Sequence, residues 1–143
     1  MRIITAAQAQ GVALAIATTT SRSNLDSLIA ATPLRGIDFA VIVTGEDVAR
    51  KKPDPEAYHI ALNCLSLTPD ACIAFEDSAN GLSAARRAGI ATIVTPSTYT
   101  SHENFSEANI IAHNLDDLAD QGEPDIMVWI YDQAKFQGPT MGV

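Results

Sequence analysis

The sequence is poor in basic residues and contains no long apolar run. Nine Lys and Arg stand against 17 Asp and Glu, which gives a net charge of −8 over 143 residues. A chain this acidic is repelled by nucleic-acid phosphates and by anionic lipid headgroups, so we expect neither as a partner. No segment reaches the roughly twenty apolar residues that cross a bilayer, so we do not expect a membrane protein.

Cysteine is also scarce. The two cysteines, Cys64 and Cys72, are spaced neither as a CxxC pair nor as a disulfide framework. We expect both to be small core residues of a protein in a reducing compartment. The first ten residues lack the pattern of a signal peptide, and we therefore expect a cytoplasmic location.

Four short apolar runs indicate strands that are buried on both faces. They cover residues 12–17, 39–43, 72–75 and 91–94, and helical patterns cover residues 3–10, 24–31, 55–65 and 82–88. This alternation predicts a doubly wound, Rossmann-like α/β fold with a parallel sheet. In such folds the ligand crevice lies beyond the carboxyl ends of the strands, and polar residues follow three of the four runs.

Hydroxyl side chains follow the first predicted strand, beginning with Thr18 and Thr19. Hydroxyls and backbone N–H groups in a turn that leads into a helix are suited to binding an anion. The simpler alternative is that these residues only cap the next helix.

Lys52 lies after the second strand, in the sequence Lys-Lys-Pro-Asp-Pro. The following proline keeps the backbone of Lys52 extended, and this fixes one compact positive charge near the crevice. A solvent-exposed lysine pair beside a turn is the alternative.

Two adjacent carboxylates, Glu76 and Asp77, follow the third strand. Such a pair is costly at a buried strand end without a partner, and Mg²⁺ prefers oxygen ligands of this kind. The alternative is an exposed acidic turn.

Three segments together resemble a known family. "AIATTTS" (residues 15–21), "TGEDVARKKPDPEAY" (44–58) and "CIAFEDSANGLSAARRAGI" (72–90) are similar to motifs II, III and IV of the haloacid dehalogenase-like (HAD) hydrolases. The similarity is strongest to the β-phosphoglucomutase-like branch and its CbbY-type sugar-phosphate phosphatases.

This resemblance implies roles for the matching residues. Thr18 and Lys52 would be the catalytic residues: Thr18, with Thr19 beside it, would bind a phosphoryl oxygen, and Lys52 would bind and neutralise the phosphate. Glu76 and Asp77 would hold Mg²⁺, and the substrate would be a small phosphorylated sugar.

The nucleophilic DxDG motif of that family is absent from the sequence, as is its helical cap. We therefore expect residues 1–122 to be a truncated HAD core and residues 123–143 to be a C-terminal extension. In the family order, the strand that is missing here is the central one. We expect its place to be taken by a partner chain, by a swapped element of a homodimer, or by the apolar residues 126–131.

Two functions follow from these observations. The first is a fragment of a Mg²⁺-dependent sugar-phosphate phosphatase that is inactive alone because the nucleophile is missing. The second is a non-catalytic HAD-like domain that acts through association or anion binding. A receiver domain of the response-regulator type is a third and weaker candidate. In such a domain the acidic pair would follow the first strand, whereas here it follows the third.

Overall fold

Helices and strands alternate along residues 2–115, the part of the chain that the computed structural model describes. The helices are α1 (Arg2–Ala9), α2 (Arg22–Ala31), α3 (Glu56–Leu65) and α4 (Ala79–Arg87). The strands are β1 (Ala15–Ala17), β2 (Val41–Val43), β3 (Ile73–Glu76), β4 (Ala91–Val94) and β5 (Ile110–Ile111). All strand pairs among these are parallel, which confirms the predicted α/β class.

The strands fall into two sheets. β1 pairs with β2, while β3, β4 and β5 form a second sheet in that order. Within residues 2–115, therefore, β1 and β3 are not joined by a strand ladder. This is the separation expected for a doubly wound core whose central strand is not among the described elements.

Side-chain caps set the beginnings of two helices. Ser21 Oγ accepts a hydrogen bond from the N–H of Asn24 at 3.3 Å and starts α2, and Ser78 Oγ accepts one from Gly81 at 3.3 Å and starts α4. Both helices therefore begin two or three residues earlier than predicted, because serine is a strong N-cap. Helix α4 ends at Arg87 with Ala88 as its C-cap, and Gly89 follows in the left-handed conformation, with φ of +81°.

Helix α3 connects the two sheets through two adjacent stripes of side chains. Ala57 and Ala61, one turn apart, pack with Val43 of β2. Tyr58 and Leu62 pack in a second cluster against β3 and α4. The small alanines allow α3 to approach the first sheet closely, while the larger pair fills the second interface.

A cavity of about 480 Å³ lies between the sheets. Its wall includes residues 13–17 of the β1 segment and residues 72–75 of the β3 segment. The cavity is partly open to solvent, and its lining is mostly apolar. Apolar surface of this kind is unfavourable in water, so we expect it to be covered in the folded protein.

The cysteine prediction is wrong for Cys64, which is exposed on α3, whereas Cys72 is half-buried beside the cavity. The outward position of Cys64 on the helix explains the error, since its apolar neighbours occupy the other faces.

None of the described helices has the length and apolar character needed to cross a membrane. The predicted boundary at residue 122 and the apolar residues 126–131 lie outside the described part of the chain.

Candidate functional site

The predicted site residues come from the loops and strand ends at the carboxyl edge of both sheets. Lys52 Nζ donates to the carbonyl oxygen of Ala17 at 2.9 Å and forms an ion pair with Glu76 Oε1. Ala17 ends β1 and Glu76 ends β3, so one lysine bridges the gap between the sheets. The side chains of Lys52 and Glu76 are only 10% and 8% exposed.

Tyr58 completes this buried cluster, and the sequence patterns did not identify it. Its hydroxyl donates to the same Oε1 of Glu76, and its ring lies beneath Lys52, with Nζ 4.8 Å from the ring centroid. Burial raises the pKa of Tyr58 well above its ordinary value, and the Glu76 carboxylate raises it further. The hydroxyl therefore remains a donor across the physiological pH range.

The glycine at position 81 makes room for the Glu76 carboxylate. A Cβ atom there would lie 1.9 Å from Glu76 Oε2, well inside contact distance. Gly81 lies in the first turn of α4, whereas the helical pattern in the sequence begins at residue 82. The lack of a side chain at this position leaves space for the carboxylate.

The loop after β1 is ordered by its own hydroxyl. Thr18 Oγ1 accepts a hydrogen bond from the N–H of Thr20 at 3.2 Å, and Thr18 N–H donates to the β2 backbone at 2.9 Å. Thr18 is half-buried directly after Ala17, while Thr19 is exposed. Ser21 caps α2, so the capping function belongs to Ser21 and does not account for the side chain of Thr18.

The loops after β1 and β2 are packed against each other at Gly45. Its N–H donates to the carbonyl oxygen of Thr20 at 2.8 Å, and a Cβ atom here would lie 2.3 Å from the carbonyl oxygen of Thr19. Only glycine permits this approach between two backbones.

Acidic side chains hold the loop that carries Lys52. Asp47 accepts hydrogen bonds from the N–H and hydroxyl of Thr44, both at 2.7 Å, and these bonds lower the pKa of Asp47. Glu56, the first residue of α3, accepts from the N–H groups of Ala49 and Arg50 at 2.9 Å each. These bonds fix the path of the chain into Lys52.

Helix α3 begins one residue later than predicted. Pro55 occupies the N-cap position, and Asp54 caps the helix from outside, since its Oδ1 accepts from the N–H of Glu56 at 3.0 Å. The Lys52–Pro53 peptide bond is cis.

Asp77 has a different environment from Glu76. It is exposed, and its carbonyl oxygen accepts a hydrogen bond from the hydroxyl of Thr100 at 2.5 Å. Among the described residues, no group of three or more His, Cys, Asp or Glu comes together as a metal site. The adjacent carboxylates match the oxygen chemistry that Mg²⁺ prefers, but they supply only part of its ligand set.

Comparisons with known proteins agree with this geometry. A family model described as haloacid dehalogenase-like hydrolase matches residues 1–95. Protein CbbY of Rhodobacter capsulatus is 48% identical over 126 residues, which are 87% of this chain and 56% of that protein. The chain thus spans about half the length of the curated relatives it matches.

Two solved structures are similar as well. CbbY from Rhodobacter sphaeroides in complex with phosphate has a TM-score of 0.79 and 40% identity, covering 89% of this chain and 56% of that one. A mutant of CbbY from the same organism, in complex with xylulose-(1,5)bisphosphate, has a TM-score of 0.76 and 42% identity, covering 82% and 53%.

Proposed function

This chain belongs to the haloacid dehalogenase-like hydrolase family, and we propose that it forms the phosphate-binding part of a Mg²⁺-dependent phosphatase for small phosphorylated sugars. The observation that carries the proposal is the buried Lys52 ammonium, which lies between Ala17 and Glu76 at the carboxyl edge. A ligand crevice is expected at this edge in open α/β sheets.

The proposed role of Lys52 is to neutralise a phosphoryl group. The charge is compact and largely shielded from water, and it is paired with Glu76, so a phosphoryl oxygen would share the ammonium group with this carboxylate. The Thr18 hydroxyl donates a hydrogen bond to a phosphoryl oxygen, and the backbone of Thr19 lies beside it. Positioning and charge neutralisation of this kind carry most of the catalysis in phosphoryl transfer.

Glu76 and Asp77 are the proposed Mg²⁺ ligands. Glu76 Oε1 already accepts from Lys52 and Tyr58, so Asp77 is the carboxylate more accessible to an ion. When bound, Mg²⁺ would neutralise phosphate charge and orient its oxygens. The remaining ligands would be phosphate oxygens and water, as is usual for this ion.

The chemistry also needs a nucleophile that the sequence does not contain. In the family this chain resembles, an aspartate of the DxDG motif attacks phosphorus and forms an aspartyl-phosphate. We therefore propose that the 143-residue chain binds phosphate without hydrolysing phosphate esters.

Calorimetry with inorganic phosphate, in the presence and absence of Mg²⁺, tests the site directly. We expect weak binding to the full chain, loss of binding in Lys52→Met, and no change in Lys51→Met, whose lysine is exposed. Equal binding by all three proteins would contradict the proposed site. Turnover of an aryl phosphate that disappears in Lys52→Met would contradict the proposed inactivity.

The second candidate is a non-catalytic HAD-like domain that acts through association, as a homodimer or with a swapped strand. The separation between β1 and β3 favours it, because unpaired strand edges are templates for another strand. Failure to bind phosphate, together with a concentration-dependent molecular mass in light scattering, would favour this function.

A cytoplasmic location is also part of the proposal. Cys64 and Cys72 are both free thiols, and Cys64 is exposed, which suits a reducing compartment.

A further inference from the structure

The loop that follows β4, residues 95–104, lies against the segment that carries Asp77. The core anchors both ends of this loop. It continues from Val94, the buried last residue of β4, and it leads into Phe105, which is buried and packs with Leu82 of α4 and with Val94. The loop therefore has a fixed place beside the first turns of α4.

Two residues of this loop bond to the peptide units on either side of Asp77. The N–H of Thr95 donates to the carbonyl oxygen of Glu76 at 2.8 Å, and the hydroxyl of Thr100 donates to the carbonyl oxygen of Asp77 at 2.5 Å. A peptide unit is planar, so a bond to its carbonyl restrains the orientation of the whole unit. Because both neighbouring units are restrained, the direction of the Cα–Cβ bond of Asp77 is restrained as well.

The surroundings of the Thr100 hydroxyl direct its proton to Asp77. Its oxygen accepts a hydrogen bond from the N–H of Ser97 at 2.9 Å, and the Ser97 hydroxyl, 3.0 Å away, can also donate to it. A hydroxyl has one proton to donate. The carbonyl oxygen of Asp77, at 2.5 Å, is much closer to it than the carbonyl oxygen of Ser97, at 3.4 Å.

Glu103 holds the next peptide unit along the chain. Its carboxylate accepts a hydrogen bond from the N–H of Ala79, the first residue of α4, at 2.6 Å. An N–H group in the first turn of a helix has no partner within the helix, and a negative charge is favourable at this end. Thr95, Thr100 and Glu103 thus hold three successive peptide units around Asp77.

The two proposed Mg²⁺ ligands are oriented in different ways. The Glu76 carboxylate is held by Lys52 and Tyr58, whereas the Asp77 side chain is exposed and is oriented through its backbone. Mg²⁺ demands near-ideal octahedral geometry from its oxygen ligands. A restrained backbone at Asp77 therefore favours binding, because less freedom is lost when the ion is bound.

We propose that Thr100 and Glu103 are positioning residues that hold Asp77 in place as a ligand for Mg²⁺. This inference rests on the proposed function, because it takes Asp77 as one of the ligands of the ion. It adds that the loop after β4 controls the affinity of this site through contacts with the backbone.

Mn²⁺ is a suitable probe, because it binds the same oxygen ligands as Mg²⁺ and broadens the NMR signals of amides close to it. We would titrate Mn²⁺ into the ¹⁵N-labelled full chain and follow the amide signals of residues 76–79. We expect these signals to broaden in the wild type, to recover when Mg²⁺ is added, and to be unaffected in Asp77→Asn. The last comparison separates this site from adventitious binding to an acidic protein.

Two substitutions remove the contacts from the loop. Thr100→Val removes the hydroxyl at nearly constant shape, and Glu103→Ala removes the carboxylate. We expect each to weaken Mn²⁺ binding roughly tenfold, as is typical when a group that orients a metal ligand is lost. Thr100→Ser keeps the donor and Glu103→Gln keeps an acceptor, so both should retain most of the wild-type affinity. Thr98→Val and Glu107→Ala, at exposed positions nearby, are the matched controls and should bind like the wild type.

Hydrogen exchange tests the contact itself, without any metal ion. The N–H of Ala79 should exchange faster in Glu103→Ala than in the wild type, because its acceptor is gone. Unchanged exchange would overturn the inference. Thr100 and Glu103 are tested separately, so the test remains decisive if one of the two variants does not fold.

The results that would overturn this inference differ from those that would overturn the proposed function. A wild type without broadening near residue 77 would remove Asp77 as a ligand, and both would then be wrong. Wild-type broadening that persists equally in Thr100→Val and Glu103→Ala would leave the metal site intact and overturn the role of the loop. Equal weakening by Thr100→Ser and Thr100→Val would also overturn it, because the hydroxyl would not be the cause.

Discussion

Replacing Lys52 by methionine should destabilise the fold far more than a lysine substitution normally does. The Lys52 and Glu76 side chains are 10% and 8% exposed, so the substitution leaves a carboxylate buried without its cation. Breaking a buried pair in this way typically costs about 3–5 kcal/mol. The hydroxyl of Tyr58 still donates to Glu76, so we expect a loss of about 3 kcal/mol in the free energy of unfolding.

A second substitution distinguishes the destabilisation caused by an unpaired buried charge from the destabilisation caused by lost packing. In the double variant Lys52→Met/Glu76→Gln the buried charge is gone, and the amide oxygen can still accept from Tyr58. We expect this variant to recover about 2 kcal/mol relative to Lys52→Met, because a neutral replacement of both partners is often tolerated. Such recovery is a coupling energy between two residues in contact.

Urea unfolding followed by circular dichroism measures these differences, with Lys51→Met as the matched control. Lys51 is exposed, so its substitution should change stability by no more than about 0.5 kcal/mol. Equal destabilisation by Lys52→Met and Lys51→Met would contradict the buried ion pair as the source of this stability. A further loss of stability on adding Glu76→Gln, instead of a recovery, would contradict it as well.

Three further substitutions test the surroundings of this pair. Tyr58→Phe keeps the ring but removes a donor to a buried carboxylate, and urea unfolding should show a loss of about 1.5 kcal/mol. Gly45→Ala forces a Cβ atom to 2.3 Å from the Thr19 carbonyl oxygen, and it should destabilise by about 2 kcal/mol and weaken phosphate binding in calorimetry. The pKa of Asp47 is lowered in the folded state, so its stabilising effect is present above its unfolded pKa and is lost as the pH falls. Asp47→Asn should therefore lower the urea midpoint at neutral pH, and this difference should vanish at strongly acidic pH.

The convergence of Lys52 and Glu76 could be predicted because it follows from topology alone. Parallel strands place their carboxyl ends at one edge, and the residues after them inherit that location. The ion pair between these two side chains was not predicted, because the resemblance assigned Lys52 to phosphate and Glu76 to a metal ion. In the structure they neutralise each other.

Tyr58 was missed for a reason that applies to any helix. An aromatic residue among Ala57, Ala61 and Leu62 fits the apolar stripe of α3, and its ring does pack in the core. Helical periodicity predicts that the ring is buried, but it does not indicate the hydrogen-bond partner of the hydroxyl. That partner, Glu76, lies 18 residues away in sequence on β3.

Strand β5 was missed because two apolar residues, Ile110 and Ile111, are too short a run to indicate a strand. Its formation depends on β4, with which Ile110 and Ile111 pair in register. The opposite error affected β1 and β2, where apolar runs of five or six residues yielded strands of three.

The separation of the two sheets affects the geometry of the site. In the described residues, β1 and β3 are held by the two stripes of α3 and by the Lys52 side chain, which reaches Ala17 on one strand and Glu76 on the other. A strand ladder is stiffer than a single side chain with four rotatable bonds, so whatever fills the cavity also sets the separation of these two acceptors. That separation fixes where the ammonium group lies relative to Thr18. The geometry of the proposed phosphate site therefore depends on how the space between the sheets is filled as much as on the side chains of the site.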